Sequence, residues 1–240
     1  MKGIVLAGGG GTRLEPLTRV TNKHLLPVYN KPMIFYPISA LVDANIEDIL
    51  IVTGGNSAGD FLKLLRNGDD FGLKQINYAY QSGNGGIAEA LSLAKPFVKD
   101  DRIVVILGDN IFEKSIAPYV KKFEHQKSGA RILLKKVDDP ERFGVAEIEG
   151  DKIVSIEEKP RHPKSNYAVT GIYMYDLNVF DIISELKPSG RGEMEITDVN
   201  NAYIERGELS YDILDGWWTD AGTFASLHRA NILAGRMIEE

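Results

Sequence analysis

Two periodicities alternate along the first half of the chain. Short apolar runs at 4–7, 49–53, 76–80 and 103–107 have the length and β-branched content of buried strands. Between them, apolar residues recur at helical spacing over 33–45, 58–67 and 86–97. Strands alternating with helices predict a mainly parallel sheet with helices on both faces, an α/β architecture. After a further helix predicted over 114–127, the order changes to closely spaced strands at 132–137, 145–148, 153–157 and 169–175, with Glu149-Gly150-Asp151 as a tight hairpin turn. Helices over 179–186 and 195–206, a strand at 209–214 and a helix over 224–237 complete the pattern. No repeat, low-complexity segment or Pro/Ser-rich linker divides the chain. The reading is one domain over 1–240, with a nucleotide-binding half at about 1–112 and an acceptor half at about 113–240.

Composition narrows the chemistry. Hydrophobic residues make up 43% and charged residues 26%, the balance of a water-soluble globule. The net charge of −6, with no basic face or tail, argues against nucleic acid as the main partner. The absence of cysteine excludes disulfides, thiolate chemistry and Cys-based zinc sites. No signal sequence, membrane-length apolar run or lipidation motif is present, and the expected location is cytoplasmic.

The first predicted strand runs into Gly8-Gly9-Gly10-Gly11-Thr12-Arg13-Leu14, and Lys23 follows ten positions after Arg13. Glycines let a backbone approach a ligand and aim successive N–H groups at it. Fixed cations beside such a floor suit the phosphates of a nucleoside triphosphate. The P-loop spacing fails because Arg13 occupies its second glycine. The dinucleotide pattern fails because Arg13 or Leu14 stands at its third glycine. Four consecutive glycines cost too much backbone entropy for a mere turn.

Asp109 follows the apolar strand at 103–107, so it stands beyond a carboxyl-terminal strand end, where ligands bind in open α/β sheets. Asp220 lies in Trp217-Trp218-Thr219-Asp220-Ala221-Gly222-Thr223. Two carboxylates from distant segments, with phosphates nearby, suit Mg²⁺; a plain helix-start acid is the structural alternative for Asp220. In Glu157-Glu158-Lys159-Pro160 an acid can accept from a polyol and Lys159 can hold a phosphate, although such strand-end charges are usually only solvated. Gln81 precedes a glycine-rich turn, and its amide offers the donor and acceptor an imide base requires; a polar loop residue is the alternative. A competing motif, Gly55-Asn56-Ser57-Ala58-Gly59, matches the nucleophile elbow of hydrolases, with Asp220 and His228 in triad order. Ser57 with Asp60 three residues later reads instead as a helix start, and His228 falls inside a helix. His24, His125 and His162 have no metal-ligand spacing.

Taken together, the motifs resemble those of the glucose-1-phosphate thymidylyltransferases, members of the sugar nucleotidyltransferase group, in a short form. The resemblance is carried by Leu6 through Leu14 with Pro16, Lys23-x-Leu25-Leu26-Pro27, Lys31-Pro32-Met33-Ile34 and Leu107 through Phe112. It continues through Asp139 to Val145, Glu157 to Pro160, Tyr167 to Tyr173, Gly192 to Asp198, and Trp218 to Thr223. It implies a Rossmann-like, mainly parallel twisted sheet with a mixed β sugar-binding portion. It also implies the reaction of dTTP with α-D-glucose 1-phosphate to give dTDP-glucose and pyrophosphate. By similarity, Leu6, Gly8, Gly9, Gly11 and Thr12 hold the nucleotide, Gln81 and Gly86 contact thymine, and Asp109 and Asp220 ligate Mg²⁺. Arg13 and Lys23 bind the triphosphate, Lys159 the sugar phosphate, and Gly144, Glu158, Val169 and Gly171 line the glucose site.

Three departures stand out: His24 where many relatives have Gln, Phe143 where Tyr is common, and Ala221 where Thr is common. Longer members extend past the position of Glu240, which implies weaker or absent inhibition through a secondary nucleotide site. Assembly as a homo-oligomer stays open. Rival readings are a uridylyltransferase or another sugar-1-phosphate nucleotidyltransferase, a nucleotide-sugar sensor on the same fold, and the Ser57 hydrolase.

Overall fold

The computed structural model describes residues 1–239. In chain order the first half holds β1 (Lys2–Ala7), β2 (Pro27–Val28), β3 (Lys31–Pro32), α1 (Phe35–Asp43), β4 (Ile49–Gly54) and α2 (Ala58–Leu65). Then come β5 (Ile76–Gln81), α3 (Ile87–Ser92), α4 (Lys95–Val98), β6 (Ile103–Leu107) and β7 (Asn110–Phe112). The second half holds α5 (Ala117–His125), β8 (Ala130–Lys136), β9 (Gly144–Glu149), β10 (Lys152–Glu158), β11 (Tyr167–Tyr175) and α6 (Asn178–Glu185). It ends with α7 (Ile196–Glu205), β12 (Leu209–Ile213), β13 (Trp218–Asp220) and α8 (Phe224–Glu239).

Nine strands form one sheet in the order β10-β9-β11-β6-β1-β4-β5, with β8 pairing with β11 and β12 with β8. The four strands β6, β1, β4 and β5 are mutually parallel. β6, β1 and β4 are near-continuously apolar because both faces are covered: Ile4 and Val105 point into one core layer, Val5 and Ile106 into the other, whereas the edge strand β5 carries Asn77 and an exposed Tyr80. Their carboxyl ends share one edge, where Gly8, Gly54, Gln81 and Gly108 follow or close the strands. There Gly54 is obligatory, since a Cβ on it would stand 2.9 Å from the Gln81 carbonyl oxygen and 3.1 Å from that of Gly8.

One strand carries the sheet into the second half. β11 runs antiparallel to β6 over Ile172–Tyr175, and on the same edge it meets β9 at Ala168 opposite Val145. The edge passes from β6 to β9 around Val169–Gly171, at the level of the parallel strands' carboxyl ends. The hairpin expected around Gly150 is the β9–β10 pair, with Gly150 at φ +63°.

Two expectations change. The helix predicted over 86–97 is two helices, α3 and α4, because Pro96 lacks the N–H that a continuous helix would use and crowds the preceding turn; it sits instead in the first turn of α4. The pairs β2–β3 and β7–β13 went unpredicted, since strands of two or three residues are too short to show a period. No helix among the described residues is long and apolar enough to cross a membrane.

A third apolar layer joins the glycine loop to the rest: Leu14, fully buried, packs with Met33, Ile111 and Ala221. Truncation in Leu14→Ala is expected to lower the unfolding free energy by about 2–5 kcal/mol, measured by urea denaturation.

Candidate active site

The glycine loop is shaped by close approaches. Gly8 lies against the side chain of Gln81, whose Oε1 occupies the place a Cβ would take. Gly11 has φ +68°, and a Cβ on it would stand 2.9 Å from Thr18 Cγ2 and 3.0 Å from Lys23 Cβ. Thr12–Leu14 then forms a short 3-10 turn. Buried Leu14 pins that turn from below, so exposed Arg13 is presented outward. Leu6 is buried in β1, and its carbonyl accepts from the Gly108 N–H at 2.9 Å.

Asp109, only 7% exposed, sits one residue past the Gly108 that meets β1. Lys23 Nζ reaches its Oδ2 at 2.5 Å, and Asn110 Nδ2 donates to its Oδ1 at 3.0 Å. Burial alone would raise the Asp109 carboxyl, but the Lys23 ammonium, with His24 and the two hydrogen bonds, outweighs burial and holds it well below the usual carboxylate range. Neighbouring His24 is almost fully buried. Its backbone N–H and ring Nδ1 meet Asn22 Oδ1 at 3.0 and 2.7 Å, which places the ring proton on Nδ1. Burial first, then the Lys23 charge, lowers the His24 imidazole to about 3, so it is neutral near pH 7.

Asp220 arrives from 111 residues away through β13, which pairs with β7 so that Asp220 lies opposite Asn110. The Ala221 N–H then donates to the Asp109 carbonyl at 2.8 Å. A Cβ on Gly222 would stand 3.2 Å from Asp109 Oδ2, 3.2 Å from Asp220 Oδ2 and 3.1 Å from Arg13 Nη2. Two carboxylate oxygens and a guanidinium thus surround one point that only glycine leaves open. Arg142 closes the far side, donating to Asp220 Oδ1 at 2.9 Å and to Asp139 Oδ2 at 2.7 Å.

On the acceptor side, Glu158 Oε2 accepts from Thr197 Oγ1 at 2.7 Å, while its Oε1 lies 3.4 Å from both Lys159 Nζ and Arg191 Nη2. Lys159 has φ +47°, and its N–H donates to the Phe143 carbonyl at 2.9 Å, which turns the chain out of β10 at the cleft rim. Gly171 is pinned by Asn110: its N–H donates to Asn110 Oδ1 at 2.9 Å, and a Cβ would stand 2.5 Å from that oxygen.

A cleft of about 150 Å³ collects eight of the expected residues: Arg13, Asp109, Asp220, Gly144, Glu158, Lys159, Val169 and Gly171. The expected nucleotide set lies beside it on the strand ends, where a Cβ on Gly9 would stand 3.8 Å from Lys23 Cε and Gln81 Nε2 donates to the Gly86 carbonyl at 3.2 Å. Ser57 lies outside this arrangement. It precedes α2, as a helix start should, but its hydroxyl makes no capping bond and bonds no histidine or carboxylate among the described residues. His228 is exposed on α8.

Sequence reasoning missed two organisers of the site. Asn110, 2% exposed, also accepts from Trp218 Nε1 at 2.7 Å, so its amide ties Asp109, Gly171 and Trp218 together. Arg142 bridges the loop before β9 to Asp220. An amide next to a strand-end acid and an arginine in a charged loop carry no spacing signal of their own.

Two outcomes follow from this geometry. Asn110→Leu leaves the Gly171 N–H and the Trp218 indole without an acceptor and removes one donor from Asp109, and should destabilise the fold by about 1–3 kcal/mol for each lost bond. In a double-mutant cycle with Trp218→Phe, the two losses should be non-additive by more than about 0.5 kcal/mol. The second outcome concerns His24. Its folded-state affinity for protons is depressed, so between pH 6.5 and about 3 the unfolded chain binds more protons and stability falls as pH falls. Urea denaturation at pH 6 and pH 4 should show His24→Gln losing less stability than the parent, by about 1 kcal/mol per pH unit.

The sequence pattern of the nucleotidyl transferase family matches residues 2–235. A glucose-1-phosphate thymidylyltransferase of Neisseria meningitidis is 49% identical over 96% of this chain and 81% of its own length. One of Mycolicibacterium smegmatis is 47% identical over 95% of this chain and 80% of its own length. Among solved structures, a Bacillus anthracis protein assigned to the glucose-1-phosphate thymidylyltransferases, in complex with sucrose, superposes with a TM-score of 0.94 at 59% identity, covering 98% of this chain and 95% of that one. A UDP-glucose pyrophosphorylase complexed with UDP-glucose superposes with a TM-score of 0.88 at 25% identity, covering 98% of each chain. The central mixed sheet, with its parallel core and helix-covered faces, is the nucleotide-diphospho-sugar transferase fold, and the chain belongs to the nucleotidyl transferase family.

Proposed function

We propose that the chain transfers a thymidylyl group from dTTP to α-D-glucose 1-phosphate, forming dTDP-glucose and releasing pyrophosphate. The observation that carries this reading is the meeting of Asp109, Asp220 and Arg13 at Gly222, between the glycine floor and the Glu158–Lys159 cleft. The names of the relatives at 47–49% identity support thymidylyl transfer in particular.

The donor set fits Mg²⁺: two hard carboxylate oxygens face one point, and among the described residues no third acidic or imidazole ligand joins them. Such a pair suits an ion that completes its shell with phosphate oxygens and water. When held there by Asp109 and Asp220, it would polarise the α-phosphoryl group and offset charge at the reacting phosphorus.

The chain's own residues supply position and positive charge. The nucleophile is a phosphate oxygen of the sugar ester, anionic near neutral pH, so no activated Ser, Cys or His is required. Lys159, at the cleft rim, holds that phosphate for in-line attack on the α-phosphorus. Bond formation there expels pyrophosphate, and Arg13, always protonated, meets the growing charge. Lys23 keeps Asp109 ionised, and its side chain runs beside the glycine loop, 3.8 Å from where a Cβ on Gly9 would stand. Glu158, oriented by Thr197, accepts from sugar hydroxyls. Uracil lacks only the thymine methyl, worth about 1 kcal/mol in a pocket, so UTP is expected as a weaker donor.

The test is pyrophosphate release measured for each nucleoside triphosphate paired with several hexose 1-phosphates, with and without Mg²⁺. The expected result is highest kcat/KM for dTTP with glucose 1-phosphate and loss of turnover without the ion. Asp109→Asn and Asp220→Asn should each cost about 10²-fold or more in kcat and weaken Mn²⁺ binding measured directly by titration. Ser57→Ala should leave turnover unchanged. Full turnover in both Asn variants would overturn the assignment.

A further inference from the structure

Gln81, at the end of β5, is 5% exposed, and its amide is committed on one side. Nε2 donates to the Gly86 carbonyl at 3.2 Å and to the Glu89 carboxylate. A carbonyl and a carboxylate only accept, so the nitrogen must face them; the flipped amide would set oxygen against oxygen twice. Both amide hydrogens are thereby used, and Oε1 is turned the other way, onto the Gly8 floor. No described residue donates a hydrogen bond to that oxygen. The carboxylate is itself confined: a Cβ on Gly85 would stand 3.0 Å from Cγ, Cδ and Oε2 of Glu89, so the turn between β5 and α3 folds directly over it.

The geometry points to Glu89 as a positioning residue for base selection. It fixes the Gln81 amide so that an acceptor, and not the donor–acceptor pair its chemistry alone would allow, faces the base. The inference rests on the proposed nucleotide site and deepens it. A fixed acceptor pairs with the N3–H of thymine or uracil. Cytosine carries a lone pair at N3, which would meet the Oε1 lone pairs with no proton between them. A site built around such a hydrogen bond can reject an analogue lacking the donor by on the order of 10⁴. Glu89 touches neither base nor phosphate in this scheme; it acts only through Gln81. Removing its carboxylate frees one amide hydrogen and lowers the cost of the flip, and a cation in its place would favour the flipped amide.

The experiment uses the full chain and reads kcat/KM for dTTP and for dCTP with glucose 1-phosphate, together with direct binding of each nucleotide by calorimetry. The expected result is a dTTP:dCTP ratio lowered about tenfold or more in Glu89→Leu, the size of one charge-assisted hydrogen bond. The loss should appear in KM and binding, with kcat for dTTP little changed. Glu89→Gln, which can turn its own carbonyl oxygen to Gln81, should restore most of the ratio. Glu89→Lys should lower the ratio further than Glu89→Leu, and it keeps the test decisive if the leucine variant fails to fold. An unchanged ratio in the leucine or lysine variant, including equal weakening of both nucleotides, would overturn the role of Glu89. A parent protein that binds dTTP and dCTP equally would instead overturn the base reading beneath it.

Discussion

The site depends on one buried amide. Asn110 accepts from the Gly171 backbone and the Trp218 indole and donates to Asp109, so its three bonds reach strand β11, strand β13 and the strand-end acid. Each of those segments comes from a different part of the chain, and no apolar contact could specify their relative rotation as closely as directed hydrogen bonds do. Gly171 permits the approach, because any Cβ there would overlap the amide. Trp218 adds weight from the other side, packing on Phe143 with ring centroids 5.0 Å apart. Through Asn110, strands β11 and β13 are set against the end of β6 and its acid.

Electrostatics then decides what the assembled groups can do. Asp109 and Asp220 converge without repelling one another because each has a cation of its own, Lys23 on one and Arg142 on the other. For Asp109 the contest is explicit: burial favours the neutral acid, and the adjacent ammonium wins. His24 adds to that balance only when protonated; burial and the Lys23 charge keep it neutral near pH 7, so Lys23 and the hydrogen bonds carry the balance there. The Asp109 carboxylate is therefore held ionised as a hard oxygen donor, the state a divalent cation requires.

Much of the fold was legible because its largest elements obey local rules. The inner parallel strands β6, β1 and β4 are near-continuously apolar since both faces are covered, and the hairpin at Gly150 carries its own turn chemistry. The glycine loop, Asp109 and Asp220 stood out for the same kind of reason: four glycines, or an acid beyond an apolar strand, are costly unless something nearby uses them. What stayed hidden was decided by contacts far apart in sequence. Asn110 meets Trp218 across 108 residues, and Arg142 meets Asp220 across 78. The strand pair that delivers Asp220 is three residues long, below the length at which alternation is measurable. Gln81 shows the limit from the other direction: its residue type left an amide-edge contact and a polar loop residue equally open, and its orientation is set by Glu89, eight residues on, in the next helix.

The recurrent device is a glycine at each place where two functional groups must come closer than a side chain allows. Gly8 admits the Gln81 amide, Gly171 admits Asn110, Gly222 admits two carboxylates and a guanidinium, and Gly85 admits Glu89. These positions do different work. Gly8 and Gly85 bracket the Gln81–Glu89 pair, whereas Gly171 and Gly222 flank Asn110 and the two carboxylates. The two regions are tied at more than one place: Lys23 bonds Asp109, and Met194, two residues before Ile196 of the cleft, donates to the Gly85 carbonyl at 2.8 Å and accepts from the Ala88 N–H at 3.0 Å. Gln81 itself bonds Gly86 and Glu89 and neither carboxylate, so on the proposed reading a change that re-aims its amide should act on the base first and leave the Asp109–Asp220 pair in place.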